Sequence, residues 1–189
     1  TYNYLLIYMG RGDVRGSGEM YSGRMLERDV FGVFKPTPEF LAAYRKLAAQ
    51  NGYTPRELSL DLIRRHGKED PLNPKKPFAH ELRQQIIDRL DLHTNQEMDR
   101  VKFYSAAGTA ADIFHGIDGW IEYESPDRGR IVVTIDVTKN PNKDAWKADV
   151  IVSEVVDPEE DAEKFLQGVE AAAQEIVNNI EERLRQKAA

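Results

Sequence analysis

The hydrophobic pattern is clearest between residues 115 and 139, HGIDGWIEYESPDRGRIVVTIDVTK. Two stretches rich in β-branched and aromatic residues, from Ile117 to Tyr123 and from Arg130 to Val137, flank the turn cluster Ser125-Pro126-Asp127-Arg128-Gly129. That arrangement predicts a β-hairpin, with proline pre-setting one turn dihedral and glycine taking the positive φ of the closure. A turn centred near Asp127 places Asp118 opposite Asp136. Side chains alternate between the faces of a strand, so Ile131, Val133, Ile135 and Val137 form an apolar row. Val132, Thr134, Asp136 and Thr138 lie on the other side. On the first strand Ile117, Ile121 and Tyr123 share one face, and Asp118, Trp120 and Glu122 the opposite one. Two carboxylates thus meet on a largely hydrophobic hairpin. Like charges directly opposed destabilise a sheet, and a hard divalent cation held by one or two carboxylates would offset that cost. The plainer alternative is a tolerated pair of solvent-facing aspartates.

Elsewhere the period changes. Residues 2–9 (YNYLLIYM) read as a strand, followed by the glycine-rich GRGDVRGSG. That loop lacks both the GxxxxGK[ST] and the GxGxxG spacings, so a linker is expected rather than a nucleotide cradle. From Glu19 to Phe34 the spacing is helical, with Leu26, Val30, Val33 and Phe34 on one stripe. Glu27 sits at the edge of that stripe, where a carboxylate is paired, snorkelling or functional. Thr37-Pro38 opens a helix that Gly52 stops, and Thr54-Pro55 repeats the opening for a helix closed by Gly67. The proline-rich connector KEDPLNPKKP (68–77) leads to a helix from Phe78 to Leu92, with Phe78, Leu82, Ile86 and Leu90 on one face. Val101 to Ser105 is a short strand, and 106–114 a small-residue segment entering the hairpin. After it, NPNKDAWK (140–147) makes a turn or short helix, and ADVIVSEV (148–155) reads as a buried central strand. Asp157-Pro158 starts a last helix running to about Gln186, with acidic residues in its first turn, where they suit the macrodipole.

Composition narrows the function classes. The 189 residues suit an α/β core over 78–189 with a strand and helical extension over 1–77. Cysteine is absent, which excludes disulfides, thiolate nucleophiles and cysteine-based zinc sites. No apolar run approaches the roughly 18 residues of a membrane helix, and a cytoplasmic protein is expected. The net charge of −6 argues at first against nucleic acid, yet residues 151–189 alone carry 10 acidic and 4 basic side chains, whereas 1–100 carry 14 and 16. The acid is gathered in the last helix, which leaves the rest compatible with a DNA-binding face. Arg45, Lys46, Arg56, Arg64, Arg65 and Lys68 on the helical pair either touch a DNA backbone or form a solvated face. No GxSxG occurs and the histidines are scattered, so nucleophilic catalysis has no footing.

From residue 78 the order is helix, three strands, short helix, strand, helix. With Gly116-Ile117-Asp118 opening the second strand and Ile135-Asp136-Val137-Thr138 ending the third, this resembles the restriction-endonuclease-like (PD-(D/E)XK) nucleases, over about residues 78 to 180. The resemblance implies an αβββαβα core, a mixed sheet flanked by helices, and Mg²⁺-dependent hydrolysis of DNA phosphodiester bonds with Mn²⁺ as substitute. Asp118 and Asp136 would be the metal ligands. Asp112 is an additional acid leading into the first element. The family's lysine belongs two residues after the second acid, where this chain has Thr138. Lys143 is the favoured replacement, ahead of Lys139. The family's helix glutamate corresponds by chain position to Glu81, with Glu27 as the alternative. His115 is a further candidate beside Asp118, and Trp120 either packs under a helix or stacks on a base. A homodimer is the default assembly. The rival reading is a catalytically silent nuclease-like fold serving as a nucleic-acid-binding or assembly module. A third is a structural protein with merely exposed aspartates.

Overall fold

A computed structural model describes residues 26–52, 54–138, 148–153 and 155–187. The expected strand at 2–9, the glycine-rich loop and the turn at 140–147, with Lys139 and Lys143, lie outside these residues. The described chain is mixed α/β: helices flank an open four-stranded sheet. The strands β1 (Val101–Ser105), β2 (Gly119–Ser125), β3 (Gly129–Val137) and β4 (Val150–Val152) lie side by side in sequence order. The first three are antiparallel, and β4 runs parallel to β3.

The hairpin has the expected register. Gly119 pairs with Ile135, Ile121 with Val133 and Ser125 with Gly129, and Gly129 turns with φ 69°. Side-chain alternation then divides two cores. Val101, Phe103, Ile121, Tyr123, Ile131, Val133, Ile135 and Val137 face one way. They are covered by α1 (residues 26–31), α4 (Pro77–Arg89) and the long α7 (Ala162–Gln186). Phe78, Leu82 and Ile86, one apolar stripe of α4, are buried there beside Val169, Ala173 and Ile176 of α7.

On the opposite face Trp120 is fully buried, so it packs and offers no surface to a base. Its ring stacks on Tyr104 at 4.8 Å, and it is covered by α2 (Pro38–Asn51) and α3 (Arg56–His66) through Phe40, Leu60 and Ile63. Ile117 belongs to this cluster and not, as strand alternation predicts, with Ile121 and Tyr123. It lies outside β2, where strict alternation no longer holds.

Helix ends follow local chemistry with informative departures. Thr37 caps α2 by accepting the Phe40 N–H, and Gly52 ends it in the left-handed region. Thr54 does not cap α3, which starts one residue later than its pattern predicts; its carbonyl lies 2.9 Å from His115 Nε2. Gly32 (φ 83°) stops α1 before Val33, which stays exposed. The last helix begins at Ala162, because Asp161 rather than Asp157 supplies the capping carboxylate, to the Lys164 N–H. The two short helices α5 (Asn95–Met98) and α6 (Ala110–His115) complete the fold. The first carries a Thr94/Glu97 capping box, a four-residue signature its sequence displays.

One buried ion pair ties the α2–α3 pair to the sheet. Glu122, whose side chain is 2% exposed, accepts from Arg64 and from Trp120 Nε1. Arg56 likewise donates to Thr134 of the sheet, whereas Arg65 pairs with Asp61 on α3 itself, so half of these six candidate cations have partners within the protein. Removing one member of a buried pair leaves the other charge without compensation, at a cost of about 3 kcal/mol or more. Arg64→Ala is therefore expected to lower unfolding stability in urea by that amount. Arg64→Leu combined with Glu122→Gln, which removes both charges and keeps an acceptor for Trp120 Nε1, should recover most of it.

Candidate metal centre

The sheet face alone does not build the site; three elements converge on it. Asp118 immediately precedes β2 and is 2% exposed. Its N–H donates to the Ile135 carbonyl, so that carbonyl serves beyond the regular Gly119–Ile135 pair. Its carbonyl accepts from Ala106 N–H of the β1–α6 connection, and its Oδ2 accepts from Val137 N–H at 2.7 Å. The Asp118 carboxylate thus fastens the end of β3 in place of a continued ladder.

Glu27 reaches this point from α1 and Asp112 from α6. One carboxylate oxygen each from Glu27, Asp112 and Asp118 lies within 4.8 Å of the others, a grouping that could hold a metal ion. Asp112 is oriented by the Gly108 N–H, which donates to its Oδ2 at 2.7 Å. Gly119 makes the approach of α1 feasible. A Cβ there would meet the Tyr104 carbonyl at 3.1 Å and the rings of Phe103 and Phe31 at 3.2 Å. Phe31 follows Glu27 by one helical turn, so the missing side chain at 119 lets α1 lie close enough for Glu27 to reach Asp118.

The electrostatics are severe. Burial, followed by the charges of Glu27 and Asp112 and then Asp136, pushes the Asp118 carboxyl up to about 9, against the pull of the Val137 N–H. A carboxylic acid so crowded either holds its proton or shares a cation. The donors are all carboxylate oxygens, the chemistry that suits Mg²⁺, Mn²⁺ or Ca²⁺ and not soft metals.

Of the residues the sequence put forward, Asp118 is at the centre. Asp136 is buried beside it and acts on its charge, though it is not in the three-carboxylate group. Glu81 lies on α4, where Gln85 donates to it, and belongs to no such group among the described residues. Glu27, the alternative, takes that place. The signal was available: Glu27 borders an apolar stripe, whereas Glu81 faces away from one. His115 contacts Thr54, tying α6 to the α2–α3 pair. Thr138, two residues after Asp136, is buried. Comparison with protein-family models, with curated proteins and with solved structures gives no match.

Two outcomes test the centre. The folded Asp118 binds a proton more tightly than the unfolded chain, so its contribution is fully present at acid pH and is lost as pH rises between about 4 and 9. In EDTA the stability of the wild type, measured against that of Asp118→Asn, is expected to decline from pH 5 to pH 8.5. Gly119→Ala should destabilise by about 1–3 kcal/mol through overpacking and weaken Mn²⁺ binding in isothermal titration.

Proposed function

We propose that this protein is a metal-dependent nuclease that hydrolyses DNA phosphodiester bonds, built on a restriction-endonuclease-like core. The observation that carries the reading is the convergence of Glu27, Asp112 and Asp118 from separate elements, with Asp136 adjoining. The order α4, β1, β2, β3, β4, α7, with the acids at the start of β2 and near the end of β3, supports it further.

In this reading Glu27, Asp112 and Asp118 hold Mg²⁺, and Asp136 adds negative charge beside them. A bound divalent cation supplies an acidified water and neutralises charge on the phosphodiester. The chain's own residues fix the geometry. Val137 N–H holds the Asp118 carboxylate, and Gly108 N–H holds that of Asp112. Burial of Asp118 and Asp136 keeps bulk water from competing for the same oxygens. We assign the lysine that helps the metal activate the attacking water to Lys143, with Lys139 second, since Thr138 carries no charge.

Thr138 also favours the second reading, a nuclease-like fold that binds nucleic acid without cutting it. Nicking of supercoiled plasmid in Mg²⁺ or Mn²⁺ separates the two. Asp118→Asn is expected to reduce cleavage by at least about 100-fold, the upper range for losing even an outer-shell partner. Lys143→Ala should reduce it comparably, and Glu81→Gln should leave it unchanged. Mn²⁺ should raise the Tm of the wild type and not of Asp118→Asn, because a ligand bound to the native state stabilises it. Absent cleavage with a retained Mn²⁺ shift would select the silent module. Absence of both removes the metal centre.

A further inference from the structure

A cleft lies along the edge strand β1. The connector after α3 runs beside that edge, with the Pro71 carbonyl accepting from Phe103 N–H at 2.9 Å, and Phe34 N–H donates to the Ala107 carbonyl. Between connector, α3 and strand is a cleft of about 450 Å³. That is within the range of small-molecule sites, about 300–1,000 Å³.

Its lining is divided. Phe34, Ile63 and Phe103 form a buried apolar floor, and Lys35, Lys68 and Lys75 stand exposed around it. Arg64 also lines it but is committed to Glu122. Two acids are present as well. Asp70 is occupied in its own turn, accepting from Leu72 N–H. Burial pushes the Glu69 carboxyl up, against the opposing charges of Lys75, Lys35 and neighbouring Lys76.

In the floor is Ser105, 7% exposed, whose hydroxyl is buried without a hydrogen-bond partner among the described residues. An orphaned buried hydroxyl costs stability and calls for an explanation. A serine χ1 has three staggered positions, so this hydroxyl can turn to a ligand that reaches the floor, as donor or acceptor.

We propose that the cleft binds a nucleotide unit, its phosphate among Lys35, Lys68 and Lys75 and its base on the Phe34–Phe103 floor, where Ser105 reads the base edge. Lysines provide compact point charges for phosphate, and the apolar floor, of which Phe34 shows 8% and Phe103 3% of its surface, takes the base by apolar burial and not by ring stacking. In the ligand-free protein Glu69 occupies the cation field and swings aside on binding. The unit is either a free nucleotide or one residue of a strand. Ser105 pairs with Gly119, next to Asp118, so a strand seated here passes beside the acidic centre. The cleft's chemistry does not involve that centre, and EDTA keeps the two apart.

The test is isothermal titration in EDTA with AMP, ribose 5-phosphate and a thymidine hexanucleotide. Saturable binding of AMP or the hexanucleotide is expected; AMP alone identifies a free nucleotide, and the hexanucleotide alone a strand. Ser105→Ala should weaken it about fivefold, the value of one hydrogen bond, while raising the Tm of the ligand-free protein. A purely structural serine would not move those two readouts in opposite directions. Lys68→Gln with Lys75→Gln should weaken binding about tenfold, and Glu69→Gln should tighten it about threefold. Arg45→Gln with Lys46→Gln, on the exposed face of α2, is the control for diffuse attraction. The proposal is overturned by no saturable binding, by ribose 5-phosphate binding as tightly as AMP, or by affinities that follow the α2 control and not the cleft variants.

Discussion

Burying Asp118 beside Glu27, Asp112 and Asp136 is the constraint to which the surrounding structure responds. Unshielded carboxylates repel at these separations, and taking them out of water adds to the penalty. Evolution of a stable fold alone would replace them with apolar residues of similar volume. The chain instead spends backbone donors on them, Val137 N–H for Asp118 and Gly108 N–H for Asp112. It also keeps glycine at 119, where any side chain would push away the helix that brings Glu27. Local rules of strand and helix formation are bent at one place, and that place is the three-carboxylate group that could hold a metal ion.

The rest of the fold supplies the stability this spot gives up. One face of the sheet is closed by α4 and α7, whose stripes interdigitate with the apolar row of the hairpin. The other is closed by α2 and α3 around Trp120. The strand edges are also managed. Where β4 is too short to cover β3, Arg183 donates to the Val132 carbonyl and Lys187 Nζ to that of Arg130. Asp149 accepts the Thr134 N–H and is held by Arg183. Cations of the last helix thus blunt a sheet edge that would otherwise invite another strand. At the other edge the connector does the same for β1 and in doing so walls the cleft.

The charge distribution takes on a different meaning in three dimensions. Of the ten acids in residues 151–189, only five lie in the last helix, the others preceding its first residue, and the three-carboxylate group draws on none of them. Two basic residues of α3, which resemble a nucleic-acid face in the sequence, are fasteners to the sheet, Arg64 to Glu122 and Arg56 to Thr134, while Arg65 pairs with Asp61 on its own helix. Lys35, Lys68 and Lys75 remain exposed, and they line a cleft that also takes in Ser105, whose hydroxyl has no partner among the described residues.

Much of the architecture was legible in residue order. The period-two rows and the Pro-Asp-Arg-Gly turn determine a hairpin whose register follows from the turn centre, because side-chain alternation leaves no other way to bury Ile131, Val133 and Ile135. The Thr-Pro opening and Gly52 stop determine α2 by local hydrogen bonding and φ alone. Asp118 was likewise visible as an acid at the mouth of an apolar strand. What the sequence could not decide were the partners of that acid. Whether Glu27 or Glu81 approaches it depends on how α1 is seated on Phe103 and Gly119, which follow Glu27 by 76 and 92 residues in the chain. The role of Asp112 depends on a one-turn helix capped by Thr109, and the partner of Glu122 on how α3 crosses the sheet. Local preferences act over a few residues; carboxylates meet through packing between elements distant in sequence, and only the folded core determines those distances.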